Sequence, residues 1–179
     1  MLSKKYVFTF LTGILRAAIS FFTGILIARY LGPDQYGRLA FLLATFLSVK
    51  QITDLGTAQA FFYFMSQKKR TKDFIYKYFS WLFFQLFITI IIITLIFPSE
   101  LIIKLWHGEN TSMIIVALCA SFMQNTLWPA VQQALDSQRK NYLSQGIAAT
   151  ITIAHFLIIY FLIRLEQLGL YFILFSVLI

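Results

Sequence analysis

The feature that most constrains this chain is a series of long apolar runs separated by short connectors. Five runs, at about residues 6–28, 38–66, 74–97, 112–135 and 142–163, each supply the ~20 residues a helix needs to cross the hydrocarbon core of a bilayer. A sixth run begins at Leu168 and is still apolar at Ile179. Backbone N–H and C=O groups inside lipid find no water, so a spanning segment must satisfy its own hydrogen bonds, as a helix does. The runs therefore predict an all-α, polytopic transmembrane bundle of about six spans in one domain, residues 1–179. Composition agrees, because 59% of residues are hydrophobic and 12% charged, whereas soluble domains average ~45–50% and ~25%. The last run carries no flanking charge or cap, and the expectation is that the chain is cut within its sixth helix.

The net charge of +8 is no sign of a nucleic-acid partner, because the basic residues fall in connectors, where they set topology. Lys4, Lys5, Lys68, Lys69, Arg70, Lys72, Lys77, Arg139 and Lys140 lie on one side of the alternation, and Arg29, Arg38, Lys104 and Arg164 on the other. Nine against four places the N-terminus in the cytoplasm, with the first span as an uncleaved anchor. Trp106, Tyr30, Tyr36 and Tyr171 fall near outer ends as interfacial rings, and Tyr6, Tyr76, Tyr78, Trp81 and Tyr142 near inner ends. The lone Cys119 sits inside a run, and no metal-ligand spacing or cofactor motif is present.

Three charges, Arg16, Lys50 and Asp54, lie in the interior of spans, away from their ends. In the first, Thr9, Thr12, Arg16, Ser20 and Thr23 form a stripe about 80° wide on a helical wheel, opposite Val7, Leu11, Ile14, Ala18, Phe22 and Ile25. One face is suited to lipid and the other to protein or water. A row of small residues, Gly13, Ala17, Gly24 and Ala28, runs beside the stripe. In the second span, Lys50 and Asp54 are four apart and meet on one face. A charge at mid-membrane costs ~2.5–3.5 kcal/mol on insertion scales, so none of the three is suited to lipid. Each reads either as the lining of a wet cavity or ion relay, or as a structural bridge. The fourth span sets Ser121, Gln124, Asn125, Trp128 and Gln132 on one face and carries a kinking Pro129. The fifth sets Ser144, Ala148, Thr152 and His155 on one face. His155 can titrate near neutral pH. The third span is almost wholly apolar and reads as lipid-facing. Four helices each offering a polar face suggest a cavity between helices, which is transporter architecture. Of the seven acids only Asp54 lies in a span, and no nucleophile triad, carboxylate pair or phosphate loop is present. The expectation is not an enzyme.

The connector IARYLGPDQYGRLAF is the most distinctive stretch. Gly32-Pro33 ends the first helix, Gly37 permits a second bend, and Tyr30, Tyr36, Arg29 and Arg38 suit an interface. Its pattern A-R-x-L-G-P-x-x-Y-G (Ala28, Arg29, Leu31, Gly32, Pro33, Tyr36, Gly37), followed by Asp54-Leu55-Gly56, resembles the polysaccharide biosynthesis (Wzx-type O-antigen flippase) family. That family belongs to the multidrug/oligosaccharidyl-lipid/polysaccharide exporter superfamily. The resemblance implies two pseudo-symmetric lobes of about six helices with an alternating-access cavity between them, this chain being the first lobe. It implies as substrate an undecaprenyl-pyrophosphate-linked oligosaccharide, flipped across the bacterial inner membrane for O-antigen, capsule or exopolysaccharide synthesis. Polysaccharide polymerase and glycosyltransferases enter as candidate partners beside the lipid bilayer. By position, Arg16 and Lys50 become the cavity's basic residues and Asp54 a coupling or bridging acid, with His155 a second candidate for ion coupling. Gln124, Asn125 and Trp128 are candidates for sugar contacts. A multidrug or organic-cation antiporter of the same fold is the first alternative, disfavoured by two basic residues against one acid within the spans. A non-functional or scaffold fragment is the second.

Overall fold

The computed structural model describes residues 2–67, 72–106, 108–165 and 169–177. Lys68, Lys69 and Arg70 of the basic connector, Glu166, and Leu168 at the start of the sixth run lie outside these residues. The described residues form helices and turns and no strand. In chain order the helices are α1 (Leu2–Asp54), α2 (Thr57–Gln67), α3 (Lys72–Ile91), α4 (Ser99–Leu105), α5 (Thr111–Phe122), α6 (Trp128–Ser137), α7 (Asn141–Arg164) and α8 (Leu170–Val177). Short π-helical segments, Ile92–Ile96 and Met123–Leu127, follow α3 and α5. Four stretches are long and apolar enough to cross a membrane: Tyr6–Asp54, Lys72–Ile96, Thr111–Ser137 and Asn141–Arg164. The protein is a polytopic helical membrane protein.

The first stretch, at 49 residues, would reach roughly 70 Å as one straight helix at ~1.5 Å per residue, more than twice the ~30 Å core. Gly32 divides it. Its φ of 74° and ψ of 174° fall in a region that essentially only glycine occupies. Pro33 then begins the second limb, where its missing N–H is no loss and its fixed φ is already helical. The turn is completed in these two residues, so the second bend expected at Gly37 does not occur and the helix runs through it.

A second break was not expected. The run predicted as one span at 38–66 is interrupted at Leu55 and Gly56, both left-handed, with φ of 45° and 78°. Asp54 bridges the gap. Its Oδ1 accepts the Thr57 hydroxyl at 2.9 Å and the Ala58 N–H at 3.2 Å, capping α2. On the other side, Gln85 Nε2 from α3 donates to Thr53 O at 2.9 Å, taking up a carbonyl near the end of α1. Another left-handed residue, Arg139, closes α6. Lys140 N–H bonds to Leu135 O and Arg139 N–H to Asp136 O, the paired bonds of a Schellman turn.

Both π segments lie directly ahead of a proline. Phe97 N–H reaches back to Ile92 O before Pro98, and Trp128 N–H to Met123 O before Pro129. Pro129 therefore appears within the fourth predicted span as a local widening of the helix.

α1 packs most extensively against α7 and next against α5. The main core gathers Leu42, Phe46, Ile114, Ala117, Ile159 and Leu174. On α5, Ala117, Ala120 and Ser121 are all buried, and such small residues let backbones approach where lipid supplies no hydrophobic drive for association. The expected lipid faces are outward: Val7, Leu11, Ile14, Phe22 and Ile25 on α1, and Phe83, Phe84 and Phe87 on α3, are exposed. Trp106 differs from its expected place as an interfacial ring. It is 4% exposed, stacked on Phe46 at 6.1 Å and against Phe97. Beside it Arg38 forms an ion pair with Glu109, tying the start of the second limb to the loop before α5.

Candidate functional site

The polar stripe of α1 faces the bundle. Thr12 and Thr23 are buried and return their hydroxyls to Phe8 O and Ile19 O, so neither is left unpaired. Between them Arg16 reaches α7, where its Nη1 donates to Gln145 Oε1 at 3.0 Å. The Cα–Cβ bonds of a helix tilt toward its N-terminus, and Gln145 sits in the first turn or so of α7. The partner is a neutral amide, which brings no counter-charge to the guanidinium.

A cleft of about 240 Å³ opens at this point. Arg16 and Ser20 come from α1, Gln124 from the π segment, Trp128 and Gln132 from α6, and Thr152 and His155 from α7. A second cleft of about 310 Å³ shares Ser20, Gln124, Thr152 and His155 with it and continues toward Tyr36 and Leu39 of the second limb. Together they form one groove along α1, α6 and α7. Three residues lining it each keep one buried nitrogen without a hydrogen-bond partner: Arg16 Nε, Trp128 Nε1 and His155 Nε2. An arginine Nε and an indole nitrogen can only donate, and leaving such a group buried and unpaired costs ~1–3 kcal/mol. Two buried donors among the groove's lining residues, on Arg16 and Trp128, thus have no acceptor within the protein. Among the described residues, no Asp or Glu lines either cleft.

Of the residues singled out by sequence, the structure brings Arg16, Gln124, Trp128 and His155 together. It does not bring Asn125 with them. Asn125 Nδ2 turns to Ser121 Oγ at 3.2 Å, and Ser121 faces a different crevice. The reason is the π segment Met123–Leu127, whose extra residue per turn shifts the helical wheel on which Ser121, Asn125 and Gln124 shared a face. Lys50 is apart as well. It lines a crevice of about 30 Å³ with Thr53, Gln85, Thr89, Ser121 and Thr126, and its Nζ lies 4.0 Å from Asp54 Oδ2. That separation is an ion pair but too long for a hydrogen bond. Asp54 is engaged as the α2 cap. Gly56 of the same motif supplies the backbone break, Gly32 and Pro33 make the turn between the two limbs, and Tyr36 and Gly37 lie in the helix beyond it, Tyr36 lining the second cleft. Arg29 is exposed.

Gln145 was missed by the sequence reading. It adjoins Ser144 and falls within about 80° of Thr152 and His155 on the α7 wheel, so its position was readable, but its pairing with a residue 129 positions away was not.

Apolar helices long enough to cross a membrane, with a polar groove open between them, define a polytopic helical membrane protein. The comparison with known families narrows this. The model of the family described as polysaccharide biosynthesis protein matches residues 2–179, and the chain belongs to that family. No curated protein and no solved structure matches the chain. Membership places it among transporter-type proteins of polysaccharide synthesis, which handle lipid-linked oligosaccharide in a membrane.

Proposed function

We propose that the protein forms one wall of a flippase cavity for a polyprenyl-pyrophosphate-linked oligosaccharide in the bacterial inner membrane. The observation that carries this reading is the groove itself: one uncompensated guanidinium, no acid among its described lining residues, and two further unpaired nitrogens on Trp128 and His155. A pyrophosphate offers the oxygens that a guanidinium fork matches. Gln124, Gln132, Ser20 and Thr152 offer the amides and hydroxyls that sugar hydroxyls need, and the Trp128 ring an apolar face. The hydrocarbon tail stays in the bilayer while the head group crosses along the groove, by alternating access between this lobe and a second one. A cationic drug would meet Arg16 with no carboxylate to bind it, which speaks against the antiporter alternative.

The topology in this reading has the N-terminus inside and Gly32-Pro33 outside. Gln35→Cys in a Cys119→Ser background should react with an impermeant thiol reagent from the outer face; labelling from the cytoplasmic face alone would invert the topology. The function is tested by Arg16→Ala in the encoding gene. Surface polysaccharide should fall to a small fraction while lipid-linked oligosaccharide accumulates in the inner leaflet. Undiminished surface polysaccharide would sink the proposal.

A further inference from the structure

Arg16 is fixed by a residue that nothing in the family match assigns. Its Nη1 donates to Gln145 Oε1 at 3.0 Å, a side-chain bond that crosses the α1–α7 interface, the most extensive among the described helices. Two properties of this contact matter. First, it is a hydrogen bond through one corner of a planar group. Holding one Nη restricts where the planar fork can point, while Nε keeps no acceptor within the protein. Second, the acceptor is an amide. A carboxylate in the same place would take up the fork from the same distance and cancel its charge. The described lining of the groove holds no other Arg, Lys, Asp or Glu, so the acceptor at position 145 decides whether the Arg16 charge is left to the groove.

We propose that Gln145 is a positioning residue for the head group: it aims the Arg16 guanidinium into the groove and, because it is neutral, leaves that charge to be compensated by the ligand. The inference rests on the reading of the groove as a pyrophosphate site. Gln145 itself is not among the residues that line the cleft.

The test uses the 179-residue chain in detergent micelles, farnesyl pyrophosphate as probe and calorimetric titration as readout, beside thermal unfolding of each variant. Gln145→Glu should weaken binding roughly tenfold or more, approaching Arg16→Ala, because the new ion pair consumes the charge. It should unfold no lower than the parent. Gln145→Ala removes the anchor and keeps the charge, so its binding should fall about two- to fivefold, consistent with one lost orienting hydrogen bond. A purely structural role for the contact predicts the reverse ranking: Gln145→Ala unfolding early with affinity intact, and Gln145→Glu harmless. If Arg16→Ala abolishes binding while Gln145→Glu stays within about twofold of the parent, the role given to Gln145 is wrong and the groove reading stands. If Arg16→Ala itself binds farnesyl pyrophosphate as the parent does, the groove reading fails. Should Gln145→Glu not fold, Gln145→Ala decides alone: unchanged affinity overturns the proposal.

Discussion

Two basic residues lie inside the membrane region, and the structure treats them differently. Arg16 faces a cleft of about 240 Å³ and pairs with a neutral amide. Lys50 faces a crevice of about 30 Å³ and pairs with a carboxylate one turn along the same helix. The first arrangement leaves charge and space unfilled. The second leaves no charge uncompensated, since Asp54 balances the ammonium, and its crevice adjoins a largely apolar cleft of about 380 Å³ with which it shares Phe46, Val49, Thr53, Gln85 and Thr89. A charge in a membrane is costly in either case. What separates a binding charge from a structural one is whether the protein supplies the counter-charge. By that criterion Arg16 belongs to the groove, and Lys50 and Asp54 belong to the helix break at Leu55–Gly56.

The strongest way to break this comparison is to remove each cation and read transport. Arg16→Ala should lower flipping, or farnesyl pyrophosphate affinity, by tenfold or more. A hydrogen bond to a charged group is worth about 1.5–3 kcal/mol, and the fork is suited to more than one. An Arg16→Lys variant should recover little, because an ammonium keeps the charge and loses the planar fork. If Lys50→Ala proved the more damaging variant, the assignment of roles would be reversed.

The next effect is on stability. Asp54→Leu removes the α2 cap and leaves Lys50 without its partner. Loss of a cap costs about 0.5–2 kcal/mol, and the pair, with its side chains 30% and 19% exposed, adds part of the penalty for stranding a half-buried charge. The expected total is roughly 2–3 kcal/mol in unfolding experiments in mixed micelles. Asp54→Asn should cost less than half of that, because the amide oxygen still accepts from Thr57 and Ala58. Equal losses for the two variants would mean that the charge, rather than the cap, dominates, and Lys50 would again be a candidate for function.

How far these roles were legible in the sequence depended on range. The spans, the exposed and buried faces of α1, and the Gly32-Pro33 turn could be read because each follows from neighbouring residues: a 3.6-residue period, or a dipeptide with restricted geometry. The break at Leu55–Gly56 could not, since leucine rarely adopts a positive φ and nothing marks Leu55 as a turn residue. The place of Asn125 depended on a π segment that resets the wheel in mid-span. The burial of Trp106 and the Arg38–Glu109 pair depended on α4 folding back against the second limb. The separation of Lys50 from Arg16 depended on where α3 and α5 pack, and no local pattern encodes that.

Gly56→Ala tests the break without touching a charge. At φ of 78° a Cβ meets its own backbone, a strain of about 1–2 kcal/mol, while no heavy atom lies within 4 Å to clash with it. The loss should therefore be backbone strain alone, near 1 kcal/mol, with pyrophosphate affinity unchanged. A coupled fall in affinity would show that the break communicates with the groove, and the two regions would no longer be separable.

The smallest effect is expected at Lys50 itself. Lys50→Met keeps the length and apolar stem of the side chain and removes only the ammonium. Asp54 then loses an ion partner at 4.0 Å but keeps both hydrogen bonds to α2, so it is not stranded as Lys50 is in Asp54→Leu. An ion pair of this geometry contributes about 0–1 kcal/mol, and the apolar replacement recovers part of that in a crevice walled by Phe46, Leu86, Leu118 and Phe122. Unfolding should shift by less than about 1 kcal/mol, and affinity for farnesyl pyrophosphate should stay within twofold. The asymmetry between Asp54→Leu and Lys50→Met is the sharper measurement. If Asp54 holds the break and Lys50 only neutralises it, removing the acid must cost more than removing the base. Equal costs would make the pair a plain salt bridge, and a larger cost at Lys50 would mean that the ammonium has a partner of its own in the crevice.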